Sequence, residues 1–251
     1  MILNAVEAGE GPPLVLLHGL FGQARNFGAL QRRLAANGRR VVALDLPNHG
    51  ASPHAPSMDY RVMADSVAET LEAKGIARAA VMGHSMGGKA AMMLALTRPE
   101  VVARLLVSDI APVAYPSRWV PLVGAMRAVP PGAARAEVDA ALAPAEPDPG
   151  VRAFIVANRR PDASGWRIGL EGIAASLPAI MGWEDAGGAT YDGPTLVVAG
   201  ERSPYIRAED RPGIRALFPR ARFLTVKGAG HWVHADQPDG FAAVVEGFAP
   251  V

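Results

Sequence analysis

The sequence predicts an α/β protein with a mostly parallel, doubly wound sheet and a small helical insertion. Three observations carry that expectation. Short runs that are apolar at every position, such as Leu14 to Leu17 and Val41 to Leu44, alternate with longer segments of helical periodicity. A strand apolar at every residue needs cover on both faces, which helices supply when they cross between parallel neighbours. A serine flanked by glycines, Gly83-His84-Ser85-Met86-Gly87, stands between one such run and a helix-like stretch from Lys89 to Leu96. The strand–helix rhythm then stops near Ala111 and resumes at Thr195.

Met1 to Val6 reads as a first strand, broken off by Gly9-Glu10-Gly11-Pro12-Pro13. Leu14 to Leu17 is the first buried strand. Phe27 to Ala36 reads as a helix stopped by Asn37-Gly38, and Val41 to Leu44 as the next strand. Asp59 caps a helix reaching Lys74, with Tyr60, Met63, Val67 and Leu71 on one face and Gly75 as its stop. Ala79 to Met82 is a strand, the helix after Ser85 ends at Arg98-Pro99, and Leu105 to Val107 delivers Ser108-Asp109. Ala111 to Tyr191 is rich in Pro, Ala and Gly, shows a helical patch at Val151 to Asn158, and carries Trp119, Trp166 and Trp183. So many large apolar groups argue for a packed insertion rather than a linker. Strands return at Thr195 to Val198 and Phe223 to Val226. A last helix starts near Pro238, with Phe241, Val244, Val245 and Phe248 on one face.

Bulk properties narrow the function. At 251 residues the chain suits one domain, residues 1–251, with residues 111–191 as a helical cap inserted within it. Half of the residues are apolar and the net charge is +1, so no electrostatic footprint for nucleic acid is present. The absence of cysteine excludes disulfides and thiolate catalysis. No signal-like segment or membrane-length apolar run is found, and a cytoplasmic location is expected. His49 and His54 lack companions at metal-ligand spacing, so no metal is predicted.

The glycines around Ser85 suit a turn too tight for side chains, which pushes one hydroxyl out at a helix N-terminus. A serine needs a base, and the base needs an orienting acid. The candidate base is His231, in the flexible loop Lys227-Gly228-Ala229-Gly230-His231, with His234 as competitor. For the acid, the loop Gly200-Glu201-Arg202-Ser203-Pro204 has Ser203 where an Asp is common. Asp109 follows the strand after Ser85, and catalytic groups of open α/β sheets collect at that edge; Glu201 is the alternative. The oxyanion donors expected are the amides of Met86 and Leu20, with Phe21 the alternative to Leu20. His18 is read as an anchor of that loop, and Asp45 to Ser52 as a turn packed beneath the site. Lys89 is expected either to pair with a carboxylate such as Asp45 or to face solvent.

His18 to Gly22, Asn48 to Gly50, Gly83 to Lys89, Asp109 to Val113 and Gly230 to Ala235 together resemble the YbfF-type esterases of the α/β-hydrolase superfamily. The resemblance covers most of the chain and is weakest across the insertion. It implies a hydrolase of carboxylic esters or thioesters with a small helical cap, a small-molecule acyl substrate and no cofactor. It also favours Asp109 as the acid, with Ser203-Pro204-Tyr205 in the later loop. Phe21, Trp119, Tyr205 and Trp232 are the expected substrate-binding residues, forming an apolar acyl pocket. Perhydrolysis, C–C hydrolysis or acyl transfer on the same triad, or a non-catalytic binding protein, are the other readings.

Overall fold

The apolar runs become one seven-stranded sheet in a computed structural model describing residues 1–250. The strands are β1 (Ala5–Ala8), β2 (Pro13–Leu17), β3 (Arg40–Leu44), β4 (Ala79–His84), β5 (Val102–Ser108), β6 (Thr195–Gly200) and β7 (Ala221–Val226). Their order is β1-β3-β2-β4-β5-β6-β7, and only β1 runs against its neighbour. Strand order reverses direction between β2 and β4, the place where open α/β sheets form their crevice.

Alternate residues of these strands feed two separate cores. Val15, Leu17, Val42, Val81 and Leu105 pack on one face with α2 (Tyr60–Ala73) and α3 (Met86–Thr97). Leu14, Leu16, Val41, Met82 and Val198 pack on the other with α1 (Gly28–Ala36) and with Phe241 and Val245 of the last helix, Pro238–Phe248. Burying apolar surface on both faces is what makes every-residue apolar strands favourable, at about 25 cal/mol per Å².

The cap on α2 is as expected: the Asp59 carboxylate accepts from Val62 N at 2.7 Å. The first strand is displaced. It starts at Ala5, because the preceding backbone amides turn to side chains: Leu3 N donates to Thr70 Oγ1 at 2.9 Å, and Asn4 N donates to Ser52 Oγ at 2.8 Å. A 3-10 turn, Ala24–Phe27, precedes α1 and replaces the start expected at Phe27.

Between β5 and β6 lie four helices: α4 (Trp119–Ala128), α5 (Arg135–Leu142), α6 (Pro149–Val156) and α7 (Leu170–Met181). The periodicity revealed only α6, which the Asp148 carboxylate caps by accepting from Gly150 N at 2.7 Å. Trp119, Trp166 and Trp183 pack against the larger core, and Trp166 Nε1 donates to Met126 O at 2.9 Å. After β6 come α8 (Arg211–Leu217), α9 (Val233–Asp236) and α10 (Pro238–Phe248). No helix among the described residues is long and apolar enough to cross a membrane.

Candidate active site

Ser85 follows β4 directly, with φ 53° and ψ −121°, and α3 starts at the next residue. Such a left-handed backbone costs a non-glycine residue about 1–3 kcal/mol. The flanking glycines are sterically required. A Cβ on Gly83 would lie 2.0 Å from the Gly87 carbonyl oxygen, and one on Gly87 would lie 2.3 Å from the Leu17 carbonyl oxygen. The elbow remains tied to the sheet, since Ser85 N donates to Ser108 O at 3.0 Å.

The structure brings Ser85, His231 and Asp109 into one chain of hydrogen bonds. With the Nδ1-protonated tautomer of His231, the Ser85 hydroxyl donates to Nε2 at 3.0 Å and Nδ1–H donates to Asp109 Oδ2 at 2.7 Å. Asp109 is fully buried, and its Oδ1 accepts from Gly200 N at 3.0 Å. The hydroxyl of Ser203 also donates to Oδ2 of Asp109. Glu201 points elsewhere, accepting from Gly228 N at 2.8 Å on the surface. His234 makes no hydrogen bond to Ser85. It sits in α9 between the rings of Phe27 and His84, with centroids 5.0 and 4.9 Å away, and burial lowers its pKa to about 4.

Three neighbours hold this chain of groups in place: Tyr205, expected only to bind substrate, and His84 and Tyr115, to which the sequence assigned no role. His84 Nε2–H donates to the His231 carbonyl oxygen at 2.8 Å, and burial pushes its pKa well below 6.5, so the ring stays neutral. Tyr205 stacks on the His231 ring at 4.0 Å, with 21° between the planes. The Tyr115 hydroxyl donates to Tyr205 O at 2.6 Å and accepts from Ala111 N at 2.9 Å.

The loop after β2 abuts the elbow: a Cβ on Gly19 would lie 3.2 Å from Ser85 Cβ. The amides of Leu20 and Phe21 differ. Phe21 N donates to His49 Nε2 at 3.1 Å, whereas Leu20 N has no protein acceptor among the described residues. Met86 is the first residue of α3, where an N–H has no acceptor within the helix. His18 anchors the loop, donating to Gly19 O at 2.8 Å and accepting from Leu46 N at 3.0 Å. Burial lowers the pKa of His49 to about 3, which keeps its Nε2 free to accept.

Lys89 does neither of the things expected of it. It is 1 % exposed, and Asp45 is occupied elsewhere, accepting from Ala24 N at 2.6 Å, Asn4 Nδ2 at 2.8 Å and Ala51 N at 2.9 Å. Lys89 Nζ instead donates to Val113 O at 2.7 Å and Gly182 O at 2.6 Å, residues at the two ends of the helical segment. Burial lowers its pKa to about 7.

A cavity of about 420 Å³ opens onto Ser85 and His231. Leu20, Phe21, Trp119, Phe154, Tyr205 and Trp232 contribute to its wall. Its size is that of a small-molecule site, and its wall is mostly apolar.

Residues 12–148 match the family model described as the alpha/beta hydrolase fold. The chain belongs to the α/β-hydrolase family. This α/β-hydrolase is 40 % identical over 249 residues to the sn-1-specific diacylglycerol lipase ABHD11 of Mus musculus, with 94 % of this chain and 80 % of that protein covered. It is 38 % identical over 230 residues to Esterase YbfF of Escherichia coli K12, covering 90 % of this chain and 89 % of that one. A solved marine microorganism esterase superposes with a TM-score of 0.91 at 32 % identity, over 99 % of both chains.

Proposed function

We propose that this α/β-hydrolase cleaves carboxylic esters through an acyl-enzyme on Ser85, with acyl thioesters as a second substrate type. The observation that carries the reading is the run Ser85–His231–Asp109, with contacts of 3.0 and 2.7 Å, on a serine projected by a left-handed backbone. His231 takes the hydroxyl proton as Ser85 Oγ bonds to the acyl carbon. The amides of Leu20 and Met86 hold the oxyanion. When the bond to the leaving oxygen or sulfur breaks, His231 returns the proton to the leaving group. Water, deprotonated by the same ring, then releases the acid and restores Ser85. Asp109 fixes the Nδ1–H tautomer and offsets the charge of the imidazolium.

The relatives named esterase and lipase support ester hydrolysis. The apolar wall supports an acyl group packed among Phe21, Trp119, Tyr205 and Trp232, beneath a cap formed by residues 111–191. A small-molecule acyl ester in the cytoplasm, turned over without a cofactor, remains the substrate and setting of this reading. A panel of p-nitrophenyl esters and acyl thioesters of graded length tests it. Turnover with an initial burst of leaving group, lost in Ser85→Ala, is expected. A folded protein inert to the whole panel would remove the esterase reading.

A further inference from the structure

Phe21 is held in a backbone conformation that side chains disfavour, with φ 61°. Three contacts keep it there. Its N–H donates to His49 Nε2 at 3.1 Å, and its ring meets Trp119 edge-on with centroids 5.5 Å apart. Its carbonyl oxygen accepts from Asn158 Nδ2 at 2.8 Å. Asn158 is 0 % exposed, lies just beyond α6, and is separated from Phe21 by 137 positions in the chain. Its Oδ1 is buried without any partner. A buried polar atom left unpaired is destabilising, so stability alone is a poor reason for an amide at this position.

The two peptide planes on either side of the Phe21 Cα are therefore each pinned, one by His49 and the other by Asn158. Gly22 N, in the second plane, also donates to Gly19 O at 2.9 Å. With both planes fixed, Phe21 cannot relax to negative φ, and the Gly22 N–H in turn holds Gly19 O, which shares its peptide plane with the Leu20 N–H. His49 belongs to the turn beneath the loop, whereas Asn158 belongs to the helices inserted between β5 and β6.

We infer that Asn158 is a positioning residue: by clamping the Phe21 carbonyl it aims the Leu20 amide at the oxyanion, so that catalysis depends on the seating of the inserted helices. This rests on the reading of Leu20 as an oxyanion donor. Removing one oxyanion donor costs about 10²–10³-fold in kcat, and a loosened donor costs less.

Asn158→Leu keeps the shape of the side chain and removes the donor. The hemiketal that a trifluoromethyl ketone forms on Ser85 carries an oxyanion, and its carbon-13 shift followed against pH reports how well that charge is held. Asn158→Leu is expected to lower kcat on p-nitrophenyl butyrate by about 10–100-fold, with KM within about twofold. Its hemiketal should ionise at higher pH than that of the unaltered protein. A hemiketal ionising at the unaltered pH, or a loss confined to KM, overturns the role of Asn158 and leaves the oxyanion reading standing. A hemiketal that ionises no more readily in the unaltered protein than in free solution overturns both. Asn158→Ser, too short to reach the carbonyl, supplies the same comparison if the leucine variant fails to fold.

Discussion

The Ser203 hydroxyl donates to Asp109 Oδ2, the same oxygen that accepts from the His231 ring. The position where an acid stood absent in the sequence thus holds a donor that supports an acid arriving from another strand. Asp109 is fully buried, and a buried carboxylate needs such donors. Replacing Ser203 by Ala removes one of them. Steady-state kinetics should show kcat reduced by about 3–30-fold, in line with a lost charge-assisted hydrogen bond, while KM holds. An unchanged kcat would mean that Gly200 N alone suffices.

Asp109 and Glu201 can be separated directly. Asp109→Asn keeps the shape but favours the wrong imidazole tautomer, and kcat on a p-nitrophenyl ester should fall by about 10³–10⁴-fold. Glu201→Gln should stay near full activity, because Glu201 only meets Gly228 N at the surface. The reverse pattern would sink the assignment of Asp109.

Lys89 joins the elbow helix to both ends of the inserted segment through Val113 O and Gly182 O. The adjoining Tyr115 amide donates to Met181 O at 2.8 Å. In Lys89→Met these ends lose their common tie. Hydrogen exchange followed by mass spectrometry should quicken at the Tyr115 amide and stay unchanged in β4. Equal exchange in both proteins would show that the tie bears no strain.

Four histidines whose pKa burial lowers, His18 among them, make the fold acid-sensitive. Burial lowers the pKa of His49 to about 3 and of His234 to about 4, and holds that of His84 well below 6.5. The unfolded chain takes up protons below 6.5 while the folded rings stay neutral. Their contribution is therefore complete above that pH and declines as pH falls toward the folded values. Each ring adds about 1.4 kcal/mol of lost stability per pH unit across its window. Urea titrations between pH 7 and 4.5 should show this slope, reduced by about one ring's share in His234→Gln. A slope that the substitution leaves intact would contradict the neutral, buried state of His234.

Much of this arrangement is legible in the sequence because it is local or follows from strand order. Gly83 and Gly87 are demanded by a turn whose clashes lie within a few residues or with the adjoining strand. Asp109 is legible because β5 neighbours β4, so their C-terminal ends must lie side by side. Other roles depend on long-range contacts with backbone groups, which leave no pattern in the chain. The partners of Lys89 are carbonyls 24 and 93 positions away, so its chemistry alone suggested a carboxylate. The ties from His84 to His231 O and from Asn158 to Phe21 O span 147 and 137 positions. The helices α4 and α7 escaped notice because Pro121, Gly124, Gly172 and Pro178 interrupt their periodicity, and packing overrides that weak propensity.

The Ser85 hydroxyl, 3.0 Å from His231 Nε2, is read as a nucleophile activated by that ring. Labelling with a fluorophosphonate, followed by peptide mass mapping, tests it most directly. A single modified peptide carrying the label on Ser85 is expected, with labelling nearly abolished in His231→Ala although that variant stays folded. A folded protein that takes no label, or one labelled as fast without His231, would contradict it.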